Sequence, residues 1–329
     1  MKRLPGLPAG LLRAAAAALS PAGSRASLLV LTFHRVLADH DPLLPDEPDA
    51  ARFAALLDVL GDQFRIVDLA DAVARLRHRT LPARCAAITF DDGYLNNCEV
   101  AAPILGARGM TATFFVTTGF LDGNTMWNDI VIESVRAAGP ALDLRELGHG
   151  VLELPDWPAR RLAVDQLLGK LKYLDADERL RQSRRIAAVA GWTPAAPLMM
   201  QSQDIRRLAD KGMAIGAHTV THPILCRLPD DVARREILDG KATLEALQGA
   251  PVRAFAYPNG RPNRDYGRRH VEMVRNAGFE VGVSTATGVC TRNCDPLQVP
   301  RVAPWGRNAL RFGLGLLRAQ TQRRPDLVP

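Results

Sequence analysis

Two histidines stand four residues apart in AHTVTHP (217–223), and two aspartates are adjacent in ITFDDGY (88–94). A spacing of four puts His218 and His222 on one side of a helical turn, where two imidazoles can hold one cation. An oxygen donor from Asp92 would complete a site of two nitrogens and one carboxylate, with positions left for water and substrate. This donor set predicts one divalent ion per chain, Zn2+ foremost. Asp91 and Asp92 end an apolar run, where adjacent carboxylates resist joint ionisation unless a cation or hydrogen bonds compensate. Taken singly, the histidine pair reads as ordinary surface or core contacts and Asp-Asp-Gly as a turn. Their combination points to metal-assisted hydrolysis.

Short apolar runs alternate with longer segments of helical period, the pattern of a parallel sheet with crossover helices. The predicted strands are 28–33, 86–90, 112–117, 213–217, 252–257, 280–285 and 297–302. Helices are expected near 49–60, 68–78, 96–109, 203–211, 231–248 and 264–277, with Ser202 as a cap and Gly212 as a stop. In parallel α/β barrels the reactive groups gather at the C-terminal ends of strands. His34, Asp91 and Asp92, His218 and His222, and the Pro-Asn-Gly turn at 258–260 all follow predicted strands. Residues 121–198 break the rhythm with charged helical segments and no clear strand, which reads as a helical insert. The expected organisation is a basic segment at 1–27, one domain at 28–303 carrying that insert, and a basic tail at 304–329.

The formal net charge of +7 sits at the chain ends. Residues 1–28 hold Lys2, Arg3, Arg13 and Arg25 without an acid, and 299–329 hold six arginines against Asp326. The body between them is about neutral, which argues against a nucleic-acid groove. Leu310, Leu314 and Leu317 recur at helical spacing beside arginines, so the termini are candidates for peripheral contact with an anionic membrane; a solvated basic end explains them equally. No run of about 18 apolar residues exists to span a bilayer. The five cysteines are odd in number and scattered, unlike a disulfide framework, and Cys290 and Cys294 read as loop thiols. The alanine run at 14–19 is a poor signal peptide, which leaves cytoplasm and envelope both open.

With ITFDDGY, AHTVTHP and FAYPNG (255–260) together, the chain resembles the polysaccharide deacetylase family, the NodB-homology carbohydrate esterases, over roughly 28–118 and 199–303. The resemblance implies a distorted (β/α) barrel, removal of N-acetyl groups from a glycan, Asp91 as general base, and Asp92, His218 and His222 as metal ligands. Many members carry an acid histidine in a late Leu-x-His-Asp motif, but no histidine follows His270 here. TFHRV (32–36) instead resembles the early segment of the permuted subgroup that includes poly-N-acetylglucosamine deacetylases, which makes His34 the implied acid. An oxyanion donor is expected from a backbone N–H near Tyr94 or Tyr257. The family tendency is toward envelope or exopolysaccharide work.

Substrate contacts are expected around Asn259, from Trp127 and Asp129 in MWNDIV, and from Arg301 and Trp305 in VPRVAPW. Core packing explains Trp127 as well, and Arg301 could simply pair with a carboxylate. Two competing readings are a hydrolase of another non-peptide C–N bond on the same scaffold and a noncatalytic carbohydrate-binding protein. The second predicts loss of a ligand or base, whereas Asp91, Asp92, His218 and His222 are all present.

Overall fold

Alternation along the strands builds two apolar faces, as period-two side-chain geometry requires. The computed structural model describes residues 9–303, 309–323 and 325–329, so Lys2, Arg3 and Trp305 lie outside the described residues. The strands are β1 (Ser27–Phe33), β2 (Arg65–Ile66), β3 (Cys85–Phe90), β4 (Thr113–Val116), β5 (Ala141–Leu144), β6 (Gly150–Glu153), β7 (Ala214–Ala217), β8 (Ala254–Ala256), β9 (Val281–Val283) and β10 (Cys290–Thr291). The helices are α1 (Ala9–Leu19), α2 (Ala50–Gln63), α3 (Leu69–Arg77), α4 (Ala102–Gly106), α5 (Trp127–Ala137), α6 (Trp157–Leu171), α7 (Ala176–Ala190), α8 (Ser202–Asp210), α9 (Asp230–Gln248), α10 (Arg268–Asn276) and α11 (Ala309–Gln320).

The main sheet runs β10-β1-β3-β4-β7-β8-β9, with β2 beside β3, and every pairing but β1 with β10 is parallel. On one face Leu29, Leu31, Phe33, Ile88 and Phe90 belong to the largest core, which takes in Phe53, Leu57 and Leu60 of α2. The opposite face, with Leu28, Val30, Ala87, Phe115, Ala256 and Val283, forms a second core with Leu69, Val73 and Leu76 of α3. Gly216 is required in β7, because a Cβ there would stand 2.3 Å from the Phe115 ring.

The predicted strand at 297–302 is not a regular strand. It makes single parallel bridges, Val283 with Val299 and Leu31 with Val302, and so joins β9 back to β1. The Val299 N–H donates to Gly282 O at 2.7 Å and the Val302 N–H to Val30 O at 2.8 Å. Pro300 lies between and has no N–H to extend a ladder, yet the two bridges close the barrel. The insert also differs from expectation, because it contains the antiparallel hairpin β5–β6 beside its helices and has its own core of Val131, Val135, Leu142, Leu144, Leu167 and Ile186. Short strands with one partly exposed face are faint in sequence. At α8 the cap is Gln201, in a reciprocal box with Asp204, while the Ser202 hydroxyl donates to Asp122.

The terminal helix α11 folds onto the barrel. In α11 the buried side chains are Phe312, Leu316 and Ala319, Leu314 is exposed, and the Ser27 hydroxyl donates to Gln320 Oε1 at 2.8 Å. Among the described residues no helix is long and apolar enough to cross a membrane. All five cysteines are free, and Cys290 is buried in β10 rather than in a loop.

His270 gives the fold a pH signature. It is fully buried in the first turn of α10, where its Nδ1 accepts from the Gly267 N–H at 3.0 Å, and burial pushes its pKa down to about 4. The unfolded chain, with an ordinary histidine near 6.5, therefore binds this proton first, so the contribution of His270 falls as pH drops from about 6.5 to about 4 and is constant below. Denaturant unfolding of wild type should show this loss, on the order of 3 kcal/mol, and His270→Gln should be flatter across the same window; parallel curves would remove His270 as its source.

Candidate active site

Loops at the C-terminal ends of β1, β3, β7 and the closing segment bring the predicted residues together. Asp92 and His218 are buried and His222 nearly so, and one ligand atom from each lies within 4.8 Å of the others. Nε2 of His218 and Nε2 of His222 each stand 3.5 Å from Asp92 Oδ1. Those gaps are too long for good hydrogen bonds, and Asp92 Oδ1 has no hydrogen-bond partner among the described residues. Ligand bonds of about 2.0–2.2 Å around a tetrahedral ion put neighbouring donors roughly 3.3–3.6 Å apart, so the donor set fits a Zn2+-like cation. His218 Nδ1 lies 2.8 Å from Ala256 O; donating its proton there leaves Nε2 as a lone pair facing Asp92.

The spacing of four does not work through a helix. His218 and His222 lie in the loop after β7, with Thr219 at φ 66° and His222 at φ 55°. Asp92 is also left-handed at φ 75°. Such conformations in non-glycine residues persist only where surroundings impose them. Here Thr118 and Gly119 donate backbone hydrogen bonds to Thr219 O and Val220 O. Glu236 of α9 accepts from the N–H groups of Val220 and Thr221, both at 2.8 Å. Gly119 has no room for a side chain, because a Cβ would come 2.7 Å from Val220 O. Glu236 carries no signal in the sequence beyond a charged helical position.

Electrostatics set the ligands apart. Burial raises the Asp92 carboxyl, but His218, His222 and His34 outweigh it and hold the group ionised. Burial pushes His222 down to about 4, against the pull of Asp92, so it is neutral at ordinary pH.

Arg301 makes the carboxylate pair that the sequence allowed as the alternative to a substrate contact. Its two terminal nitrogens each donate to an Asp91 oxygen at 2.7 Å, its Nε donates to Ser284 O, and both residues are buried. Burial raises Asp91, yet Arg301 prevails and lowers it. His34 is exposed, directly beyond β1, and its charge acts on Asp91, Asp92 and His222. Glu47, which sequence reasoning missed, is half-buried nearby; desolvation raises its carboxyl against the charges of His34 and Arg35.

Of the two oxyanion candidates, Tyr257 has its own N–H engaged with Val283 O, and its buried ring stacks on Tyr266 at 3.9 Å between centroids. Tyr94 differs. It bridges Met199 through bonds made by its neighbours, Leu95 to Leu198 and Met200 to Gly93, so its own N–H points away from that partner. Asn259 is left-handed at φ 58° and uses its carbonyl to accept from the Thr285 hydroxyl. Trp127 packs on the insert's core under Arg179, whose guanidinium lies 5.0 Å from the ring. Asp129 is 1% exposed and bonded to the Tyr94 hydroxyl, so it does not face a glycan.

The profile described as polysaccharide deacetylase matches residues 78–158 and 170–282, which takes in most of the insert as well as both catalytic-type motifs. YxkH of Bacillus subtilis (strain 168) is 21% identical over 291 residues, spanning 88% of this chain and 75% of that protein. The deacetylase PplD of Streptococcus pyogenes, solved with acetate, superposes with a TM-score of 0.59 at 18% identity, over 89% of this chain and 98% of that one. IcaB of Ammonifex degensii gives 0.58 at 20% identity, over 91% and 98%. At such identities the structural likeness speaks for the fold alone, and that fold is the barrel described above. With the matched profile covering more than half its length, the chain belongs to the polysaccharide deacetylase family and is a hydrolase of carbon–nitrogen bonds other than peptide bonds.

Proposed function

We propose that this chain removes N-acetyl groups from a glycan rich in N-acetylated sugars, releasing acetate, with one Zn2+-like ion held by Asp92, His218 and His222. The observation that carries this reading is the buried Asp92–His218–His222 cluster, with an orphaned carboxylate oxygen 3.5 Å from two imidazole nitrogens, beside a second ionised aspartate. A divalent cation bound there would supply Lewis acidity toward the acetyl carbonyl and toward a water.

The remaining work falls to side chains. Asp91, kept ionised by Arg301, takes the proton of the attacking water; both its oxygens accept from Arg301, and each keeps a further lone pair. His34, exposed at the mouth of the site, gives a proton to the departing nitrogen, because an amine anion is too poor a leaving group to go unprotonated. The Tyr94 N–H is the donor for the carbonyl oxygen as charge develops on it. Acetate in the PplD structure supports an acetyl-sized product on this fold.

The first expectation concerns the ion. Purified protein should carry about one divalent ion per chain, chelation should stop acetate release from N-acetylated oligosaccharides, and Zn2+ should restore it. Elemental analysis of the His218→Ala, His222→Ala double variant should find it metal-free; full occupancy would sink the ligand assignment.

The second concerns the proton transfers. Asp91→Asn and His34→Ala should each lower amide turnover by about 10² to 10⁴ while metal content is kept. On an activated aryl acetate ester, whose leaving group needs little protonation, His34→Ala should retain more activity than Asp91→Asn. Equal losses of His34→Ala on both substrates would take the acid role from it. Asp91→Asn should also lower stability by about 3–5 kcal/mol, since it leaves the buried Arg301 charge uncompensated; His34→Ala, at an exposed position, should not.

A further inference from the structure

We infer that Asp129 is a positioning residue: from the first turn of α5 it fixes Tyr94 and Arg35, and through them the loops that carry Asp91–Asp92 and His34. The inference rests on the reading proposed above and goes beyond it, because it assigns the insert a part in the reaction.

Three contacts converge on this one carboxylate. The Tyr94 hydroxyl donates to Asp129 at 3.1 Å to Oδ2, with Oδ1 at 3.3 Å. Arg35 Nη1 lies 3.7 Å from Oδ1, and the Arg35 guanidinium sits 4.7 Å from the centroid of the Tyr94 ring. Nε and Nη1 of Arg35 are buried without a hydrogen-bond partner among the described residues, so the charge of Asp129 and the face of Tyr94, with the charges of Glu47 and Asp41, hold that side chain in place. Tyr94 is two residues beyond Asp92, and Arg35 directly follows His34. The insert thus reaches both loops from one atom group.

A carboxylate in this position is costly. Burial pushes Asp129 up to about 7, against the opposing pull of Arg35 and with the charge of Asp92 adding to the rise. An apolar residue would pack there without that cost, so the group is accounted for by what it orients rather than by packing. It is buried away from solvent, which distinguishes it from a sugar-binding side chain. Holding the Tyr94 ring at its hydroxyl and over its face fixes the direction of the Tyr94 N–H, the group assigned above to the developing oxyanion.

The test uses the full-length, metal-loaded enzyme with Asp129→Leu, which keeps the approximate volume and removes both acceptors, and Tyr94→Phe, which removes only the hydroxyl. Each should lower kcat roughly tenfold, the equivalent of one net hydrogen bond of about 1.4 kcal/mol, with KM within about twofold and metal content unchanged. The double variant should lose no more than the worse single, because both remove the same contact. Amide hydrogen exchange across residues 91–97 should quicken in both singles, a readout that does not need turnover. Losses that multiply, unchanged kcat in an active enzyme, or unchanged exchange would each overturn the inference. Should wild type release no acetate, the proposed function fails, and the exchange measurement alone decides the positioning role.

Discussion

A buried ion pair in the barrel's closing seam ties the fold to its chemistry. Arg301 lies on the segment that bridges β9 to β1, and it grips Asp91 at the end of β3 through two bonds of 2.7 Å. Its other contacts, to Thr89 and to Ser284 O, span the same junction. A buried pair of this kind yields little net stability against an apolar replacement, but losing one partner is expensive. Closure of the sheet and ionisation of the aspartate therefore stand or fall together, and Asp91 is held as an acceptor of protons at neutral pH rather than as a carboxylic acid.

Around that pair the loops are held in conformations that they would not adopt alone. Asp92, Thr219, His222 and Asn259 all have positive φ, and the histidine loop is supported from outside itself: by Glu236 from α9, by Thr118 and Gly119 after β4, and by Ala256 O on His218. Gly240 of α9 leaves room for this approach, because a Cβ there would stand 3.1 Å from the Thr219 backbone. The strain is stored where ligand direction matters, as is common at functional sites. Three donors then face one point without a helix to array them.

The insert is more than a decoration on the barrel. It has its own core and hairpin, yet its first helix places Asp129 against Tyr94 and Arg35. Trp127, by contrast, turns toward the insert's core and is covered by Arg179. Trp127 and Asp129 thus face different ways, as helix positions two residues apart do.

Much of this was legible in the residues alone. Apolar runs of strand length marked β1, β3, β4, β7, β8 and β9 within a residue or three, because buried parallel strands are apolar on both faces and stand out from amphipathic helices. The Asp-Asp and His-x3-His motifs, read together, named the cluster that the fold assembles. Other features depend on long-range partners and leave no local trace. Residues 297–302 read as a strand, but Pro300 reduces them to two bridges, which only the neighbouring β9 and β1 make sufficient to close the sheet. The histidine spacing predicted a helical turn, whereas backbone bonds from β4's loop and Glu236 impose a left-handed one. Arg301 with Asp91, and Asp129 with Tyr94, are pairs 210 and 35 residues apart. Residue type and spacing thus determined which groups could do the chemistry; which of them face the site, and which only hold others toward it, was decided by tertiary packing, since burial and charge pairing exist only once distant segments meet.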